Sequence, residues 1–409
     1  MLDRAYHPQC QATSAHCTDA AQQRKRGLTL FALAFGTFCI GTSEFASMGI
    51  IQLFSASLGI SIPTATHAIT AYAFGVVVGA PLITLAAARL NRRTLLLGLM
   101  VLFVLGNLLS AIATELGLFV VARFISGLPQ GAYFGAGAVV ASYIVGPGRG
   151  GSAFALVMTG LTVATIVGSP LATFLGQLIG WRNTYGAVSG LGVLSVLALW
   201  AWVPRSDALK GGPVVQELTA LRKPAVWIMM LIAALGIASI FAVYTFIAPI
   251  VTDVARLSPG WIPVALALFG IGMTVGNLIG GRMADAHPSR GLLVGYTTTL
   301  AVLAALALGG EDAWVLMAAL FGVGATTMAA IPTIQVRLTR FAPEAPTLMG
   351  AMNLASLNVA NAIGAWAGAV VIAGGFGLLA AAWAGFVLTL LGLALFALTM
   401  PRAPQWAPG

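Results

Sequence analysis

Charge is what this sequence has least of. Of its 409 residues only 8% are Asp, Glu, Lys or Arg while 59% are hydrophobic, against about 25% and 45–50% in soluble domains. So few charges cannot cover a water-soluble surface of this size. Lysine occurs three times, as Lys25, Lys210 and Lys223, and none is followed by Ser or Thr. No GxxxxGK[ST] phosphate loop therefore exists, which excludes ATP-driven pumping within this chain. HExxH and GxSxG are also absent, so an enzyme lacks its usual nucleophile, base or metal motif. Cysteine is scarce too. Cys10 and Cys17 stand with His7 and His16 in a loose cluster that matches no closed zinc spacing, and Cys39 has no evident bridging partner. No metal and no cofactor is expected. The first 26 residues have no apolar core of the signal-peptide kind and read as a disordered cytoplasmic tail.

What the chain has in abundance is long apolar runs. Crossing about 30 Å of hydrocarbon takes roughly 20 apolar residues as a helix, and such runs recur at about 28–53, 64–88, 94–114, 117–145, 152–178, 183–203, 225–250, 259–284, 291–309, 313–336, 346–373 and 376–399. A backbone in lipid must satisfy its own hydrogen bonds, and the alternation of membrane strands is missing, so the runs are helices. The expectation is an all-α membrane protein of twelve transmembrane helices with the bilayer as its main partner.

The net charge of +9 needs no nucleic acid to explain it. With the N-terminus inside, seventeen of the twenty Lys and Arg residues fall on inner segments, leaving Arg182 and Arg256 outside and Arg123 within a span. That asymmetry is the positive-inside rule, and it places both termini on the cytoplasmic side of the membrane. A polar connection over 204–224 divides the chain near its middle. The domains then read as a tail over 1–26, six helices over 27–203, a linker over 204–224, six helices over 225–400 and a tail over 401–409. Val214, Val215, Leu218 and Leu221 give the linker a helical apolar spacing, which suits a surface helix, although a merely solvated linker fits as well.

The two halves repeat. At an offset of 197, Gly75, Gly79, Arg93 and Gly98 fall on Gly272, Gly276, Arg290 and Gly295; at 196, Gly168 falls on Gly364. Six helices return the chain to the same side, so the repeats are parallel. Two six-helix bundles, with a small-molecule substrate bound between them and access alternating as they rock, are the architecture this implies. No sequence feature calls for more than a monomer.

Two ionisable groups lie deepest. Glu44 stands about 24 Å along the first helix and Arg123 about 9 Å along the fourth, which starts outside, so both fall in the outer half at 1.5 Å per residue. Glu44 reads as a group that exchanges a proton or meets a cationic substrate, with Arg123 holding it charged in one conformation. A fixed structural ion pair is the other reading. Uncharged polar residues within spans, Tyr72, Gln130, Tyr133, Tyr244, Gln335, Asn353, Asn358 and Asn361, are candidates for the cavity or for interhelical hydrogen bonds. Asn358 and Asn361 share a helix face. Pro170, beside Gly168, removes a helix hydrogen bond and marks a hinge or a tolerated bend.

Several stretches together resemble the major facilitator superfamily, and within it the twelve-span bacterial drug/H+ antiporters that include arabinose-type efflux permeases. They are GTSEF at 41–45, GAPLITLAAARLNRRTLLLG at 79–98, ARFISGLPQGAYFG at 122–135 and GLTVATIVGSPLATFLGQLIGWR at 160–182. The resemblance covers residues 28–400 and implies proton-coupled efflux of drugs or sugar-like metabolites, with a cytoplasmic gate around Arg92, Arg93, Asp285 and Arg290. The family's loop Asp is replaced by Ala88, while the second-half copy keeps Asp285, so the gate is built differently in the two halves. Gly168-Ser169-Pro170 and Ala172-Thr173 depart from the family's antiporter motif. A solute-importing symporter, a uniporter or a non-transporting receptor of the same fold remain open alternatives.

Overall fold

The computed structural model describes residues 9–87, 89–146, 150–209, 221–286, 290–342 and 346–399. Among them, eleven helices are long and apolar enough to cross a membrane. The fourth passage makes the twelfth, split into Leu116–Gly127 and Gln130–Val145. Pro129, with no N–H for the carbonyl of Ile125, marks the break. The other spans are Gln9–Gly49 with its continuation Ile51–Leu58, Ile62–Ala86 and Arg92–Ile112, then Gly150–Val163 running through to Ser169–Ile179, and Trp181–Trp202. The second half comprises Pro224–Tyr244, Trp261–Ala286, Arg290–Gly309, Ala313–Met328 with Ile331–Phe341, Pro346–Ala373 and Ala380–Thr399. The first helix begins at Gln9, inside the stretch expected to be a tail. The apolar linker positions 214, 215 and 218 lie outside the described residues.

Large apolar side chains such as Leu82, Leu178, Leu308 and Leu398 are exposed on the outer faces, as they should be where the surrounding solvent is lipid. Trp200 and Trp227 at one end of the bundle and Trp261 and Trp314 at the other are exposed as well, the placement of an interfacial aromatic belt.

The repeat appears as matched contacts. A Cβ added at Gly75 would strike the carbonyl of Phe124, and one at Gly272 the carbonyl of Phe321; Gly79 meets Leu128 and Gly276 meets Ala325 in the same way. Each partner shows the offset of 197 that relates the glycines. The second-on-fourth crossing and the eighth-on-tenth crossing are therefore one crossing made twice, with glycine allowing the backbones to approach. Breaks repeat too. The first span is interrupted at Ile50, at φ −107° and ψ 14°, and the seventh at Phe246, at φ −111° and ψ 14°.

The halves meet where the second span packs on the eleventh and the fifth on the eighth. At the end away from the termini they share one apolar core, in which Phe45, Phe54 and Phe119 are continuous with Tyr244, Leu266 and Phe269. Nearer the termini lies a separate core around Leu33, Leu96, Phe103 and Phe134, whose buried members come from the N-terminal half and, at Leu209, from the linker that follows it.

Candidate functional site

Glu44 and its neighbour Ser43 are buried on the first span. Successive helix residues point about 100° apart, so the two side chains serve different neighbours. Ser43 faces the second, third and fourth spans. Arg123 donates through Nη1 to the Ser43 hydroxyl and through Nη2 to the Ser43 carbonyl, both at 3.0 Å. The hydroxyl in turn donates to Asn107 Oδ1 at 2.6 Å. The guanidinium lies over the ring of Tyr72, 4.5 Å from its centroid, and 5.2 Å from that of Tyr185. Arg123 is wholly buried; hydrogen bonds from both Nη atoms and aromatic faces on two sides replace much of the water it has lost, while its Nε has no partner.

Glu44 turns the other way. Its Oε2 accepts from Gln130 Nε2 at 2.9 Å and its Oε1 from Asn361 Nδ2 at 3.3 Å. Tyr72 donates its hydroxyl to Gln130 Oε1 at 2.7 Å. Among the described residues no ion pair joins Glu44 to Arg123; Glu44 meets Gln130 and Asn361 while Arg123 meets Ser43. Tyr72 connects them instead: its ring carries the arginine and its hydroxyl orients the glutamine that holds the carboxylate. Among the described residues, Asn361 is the ligand that the second half gives Glu44, so the carboxylate bridges the bundles.

The other candidates divide. Tyr244 shares a hydrogen bond with Ser169 at 3.0 Å, also across the halves, and stacks edge-on with Phe45 and Phe269. Tyr133 instead donates to the carbonyl of Leu33, beneath Gly36, inside the core of the N-terminal half. Asn353 donates to Gln335 at 2.9 Å, joining the tenth and eleventh spans toward the terminus end. Asn358 donates to the carbonyl of Leu354 one turn back. Tyr133, Gln335 and Asn353 thus fasten helices away from the Glu44 group. Ser43, Ser47, Asn107 and Tyr185 belong to the site although sequence reasoning passed over them. Asn107, the only amide in the third span, carried the available signal.

The matched profile is that of the Major Facilitator Superfamily, over residues 33–356. The chain belongs to this family. It is 38% identical over 377 residues to the inner membrane transport protein YdhP of Escherichia coli strain K12, covering 92% of this chain and 97% of that one. A chloramphenicol resistance protein of Streptomyces lividans is 34% identical over 370 residues, 90% and 94% of the two chains. Among solved structures, an inward-facing, occupied bacterial homologue of the lysosomal transporter Spinster superposes with a TM-score of 0.73 at 15% identity, over 94% of this chain and 99% of that one. The protein is a multi-pass membrane transport protein and not an enzyme, and membership of the family implies a small-molecule substrate.

Elsewhere the family expectations meet mixed outcomes. Arg93 donates to the carbonyl of Trp200 on the sixth span, and its backbone N–H is capped by Asn91 at 3.0 Å. Its hydrogen bonds stay within its own half. Ala88 and the side chains of Asp285 and Arg290 lie outside what is described. In the fifth span, Ala164–Gly168 is a π-turn immediately before Ser169-Pro170. Pro170 cannot bond to Ile166, its ring crowds that carbonyl, and the wider turn accommodates both. The bulge faces Gly270 of the eighth span, where an added Cβ would lie 2.7 Å from the carbonyl of Thr165.

Proposed function

We propose that the protein exports small organic compounds by alternating access in exchange for protons, and that Glu44 carries the proton. The observation that carries this reading is the carboxylate's position. It is buried, lacks an ion-paired cation among the described residues, and is held by one amide from each half. Adding a proton to such a group changes what it can accept, and so alters the contact between bundles that must separate during transport. A buried ionisable group inside a membrane bundle is costly to keep and generally earns its place through function.

The halves are also joined by Gln52 to Thr252 at 2.8 Å, Ser169 to Tyr244 at 3.0 Å and Gln177 to Pro259 at 2.9 Å. These contacts lie toward the end opposite the termini. With the termini placed inside by the charge asymmetry, that end is external, and the conformation is closed outward. The bacterial inner membrane as location and the monomer as working unit complete the proposal. The chloramphenicol resistance protein among the relatives supports export of drug-like molecules.

The test uses proteoliposomes containing the full chain, an internal pH dye and a panel that includes chloramphenicol and pentose sugars. Compounds that move protons with the wild type should move none with Glu44→Gln. Equal proton movement in both would remove Glu44 from the mechanism.

A further inference from the structure

The fifth and eleventh spans are copies at an offset of 196, yet they differ along one stripe. Thr165, Ser169, Thr173 and Gln177 follow at steps of four over roughly 18 Å of the fifth span. The matching positions of the eleventh hold Asn361, Ala365, Ala369 and Ala373. Gly41 of the first span packs at Ala164 and Gly49 at Thr173, so Glu44 is level with the start of the stripe and the last three members lie outward of it. There one copy is polar and the other is alanine. Packing alone does not call for the hydroxyls, since alanine fills the same places in the repeat.

Ser169 and Thr173 lie where the halves meet. Ser169 shares its hydrogen bond with Tyr244 of the seventh span, and a Cβ added at Gly49 would strike both Thr173 and Leu266 of the eighth. Both hydroxyls are wholly buried, which is tolerable only where they are satisfied. Thr165 donates to the carbonyl of Thr162 at 2.8 Å and Thr173 to that of Ser169 at 2.9 Å, each on its own helix. Such bonds need nothing from the other half, and water or a solute can replace them once the halves part. Thr42 Oγ1, against Gly168, and Thr245 Oγ1, next in the chain to Tyr244, are buried without a hydrogen-bond partner. The closed seam thus holds more hydrogen-bonding capacity than it uses.

The last member of the stripe, Gln177, lines a cleft of about 530 Å³ together with Leu53, Ser57, Trp181, Arg182 and Asn183. Arg182 gives Nε to the carbonyl of Ala113 and Nη1 to Ser57, and its Nη2 has no partner among the described residues. Gln177 also donates to the carbonyl of Pro259 in the second half, a bond that must break as the outer end opens.

We propose that cargo leaves by a one-sided passage, whose wetted wall is Ser169, Thr173 and Gln177 and whose mouth is the cleft at Arg182. The alanine seam of the eleventh span stays dry. This rests on the export reading. A wall of hydroxyls ending among donors suits an amphipathic compound that carries acceptor oxygens, and gives no help to a purely apolar one.

The test labels single cysteines, in chains with Cys10, Cys17 and Cys39 replaced, by adding a charged methanethiosulfonate outside right-side-out vesicles. Thr173→Cys should react several-fold faster than Ala369→Cys, and Ser169→Cys several-fold faster than Ala365→Cys. Equal rates within the pairs overturn the one-sided passage. Labelling at none of the four, while the exposed control Ala56→Cys reacts, overturns the alternating-access reading beneath it. Thr173→Val supplies the second arm, since it nearly keeps the volume and removes the hydroxyl. For a compound that the wild type exports, its kcat should fall several-fold at unchanged KM, and Ala369→Ser should change neither. A wild-type kcat in Thr173→Val shows that the hydroxyl is idle in export and overturns the proposal.

Discussion

Arg123 shows how much of the site depends on the shape of one side chain. Its planar guanidinium gives two parallel donors to Ser43 while lying against two aromatic rings. A lysine ammonium can do one of these things at a time. Losing one charge-assisted hydrogen bond costs about 1.5–3 kcal/mol, so Arg123→Lys should reduce proton-coupled transport about tenfold or more. Transport assayed in vesicles at matched protein levels checks this; wild-type rates would mean that a point charge suffices. Depth along the helices made Glu44 and Arg123 legible in the sequence, because charge is so rare in these spans. What stayed hidden was the neighbour each one faces. A rotation of 100° between Ser43 and Glu44 sends the arginine to one and Gln130 and Asn361 to the other, and no single sequence states how helices are turned toward each other. Tyr133 had two roles open for the same reason: a polar tip within a span looks alike whether it points to a cavity or fastens the helix beside it, as Tyr133 does at Leu33.

At the level of elements, the repeat was readable because close packing leaves glycine as its record. The pairs Gly75 and Gly79, and Gly272 and Gly276, mark crossings in which partner carbonyls occupy the space of a side chain. Gly75→Ala and Gly272→Ala should each destabilise the fold by about 1–3 kcal/mol through overpacking. The two values should be similar, since the crossings match. Gly98 meets nothing within 4 Å of an added Cβ, and Gly98→Ala should raise stability by up to about 1 kcal/mol through helix propensity. Thermal unfolding in detergent separates the three, and a Gly98→Ala variant as unstable as the other two would sink the packing account. Less legible was the π-turn at Ala164–Gly168. Pro170 announced a bend, but the form of the bend depends on Gly270 offering a flat surface from a helix about a hundred residues away in sequence, and local pattern carries no such information.

For the whole molecule, symmetry in the backbone is combined with asymmetry in the chemistry. The offset of 197 that matches the glycine contacts also sets Tyr72 against Phe269 and Arg123 against Leu320, so the second half supplies apolar walls where the first supplies charge. Glu44 is then the place where a chemically active bundle touches a largely passive one, and closure at the end away from the termini brings that contact about. If the bundles rock as units, holding that end shut must stop transport without disturbing either bundle. Gln52 and Thr252 already meet there, through a hydrogen bond of 2.8 Å between the first and seventh spans. Gln52→Cys with Thr252→Cys, in a chain lacking Cys10, Cys17 and Cys39, should be joined by a short bis-methanethiosulfonate reagent. Transport should fall to the level of empty vesicles and return when the link is reduced. The same pair left unlinked should transport, which separates the effect of the tether from that of the substitutions. Undiminished transport by the linked protein would show that the bundles need not part at this end, and alternating access by rocking would have to be given up.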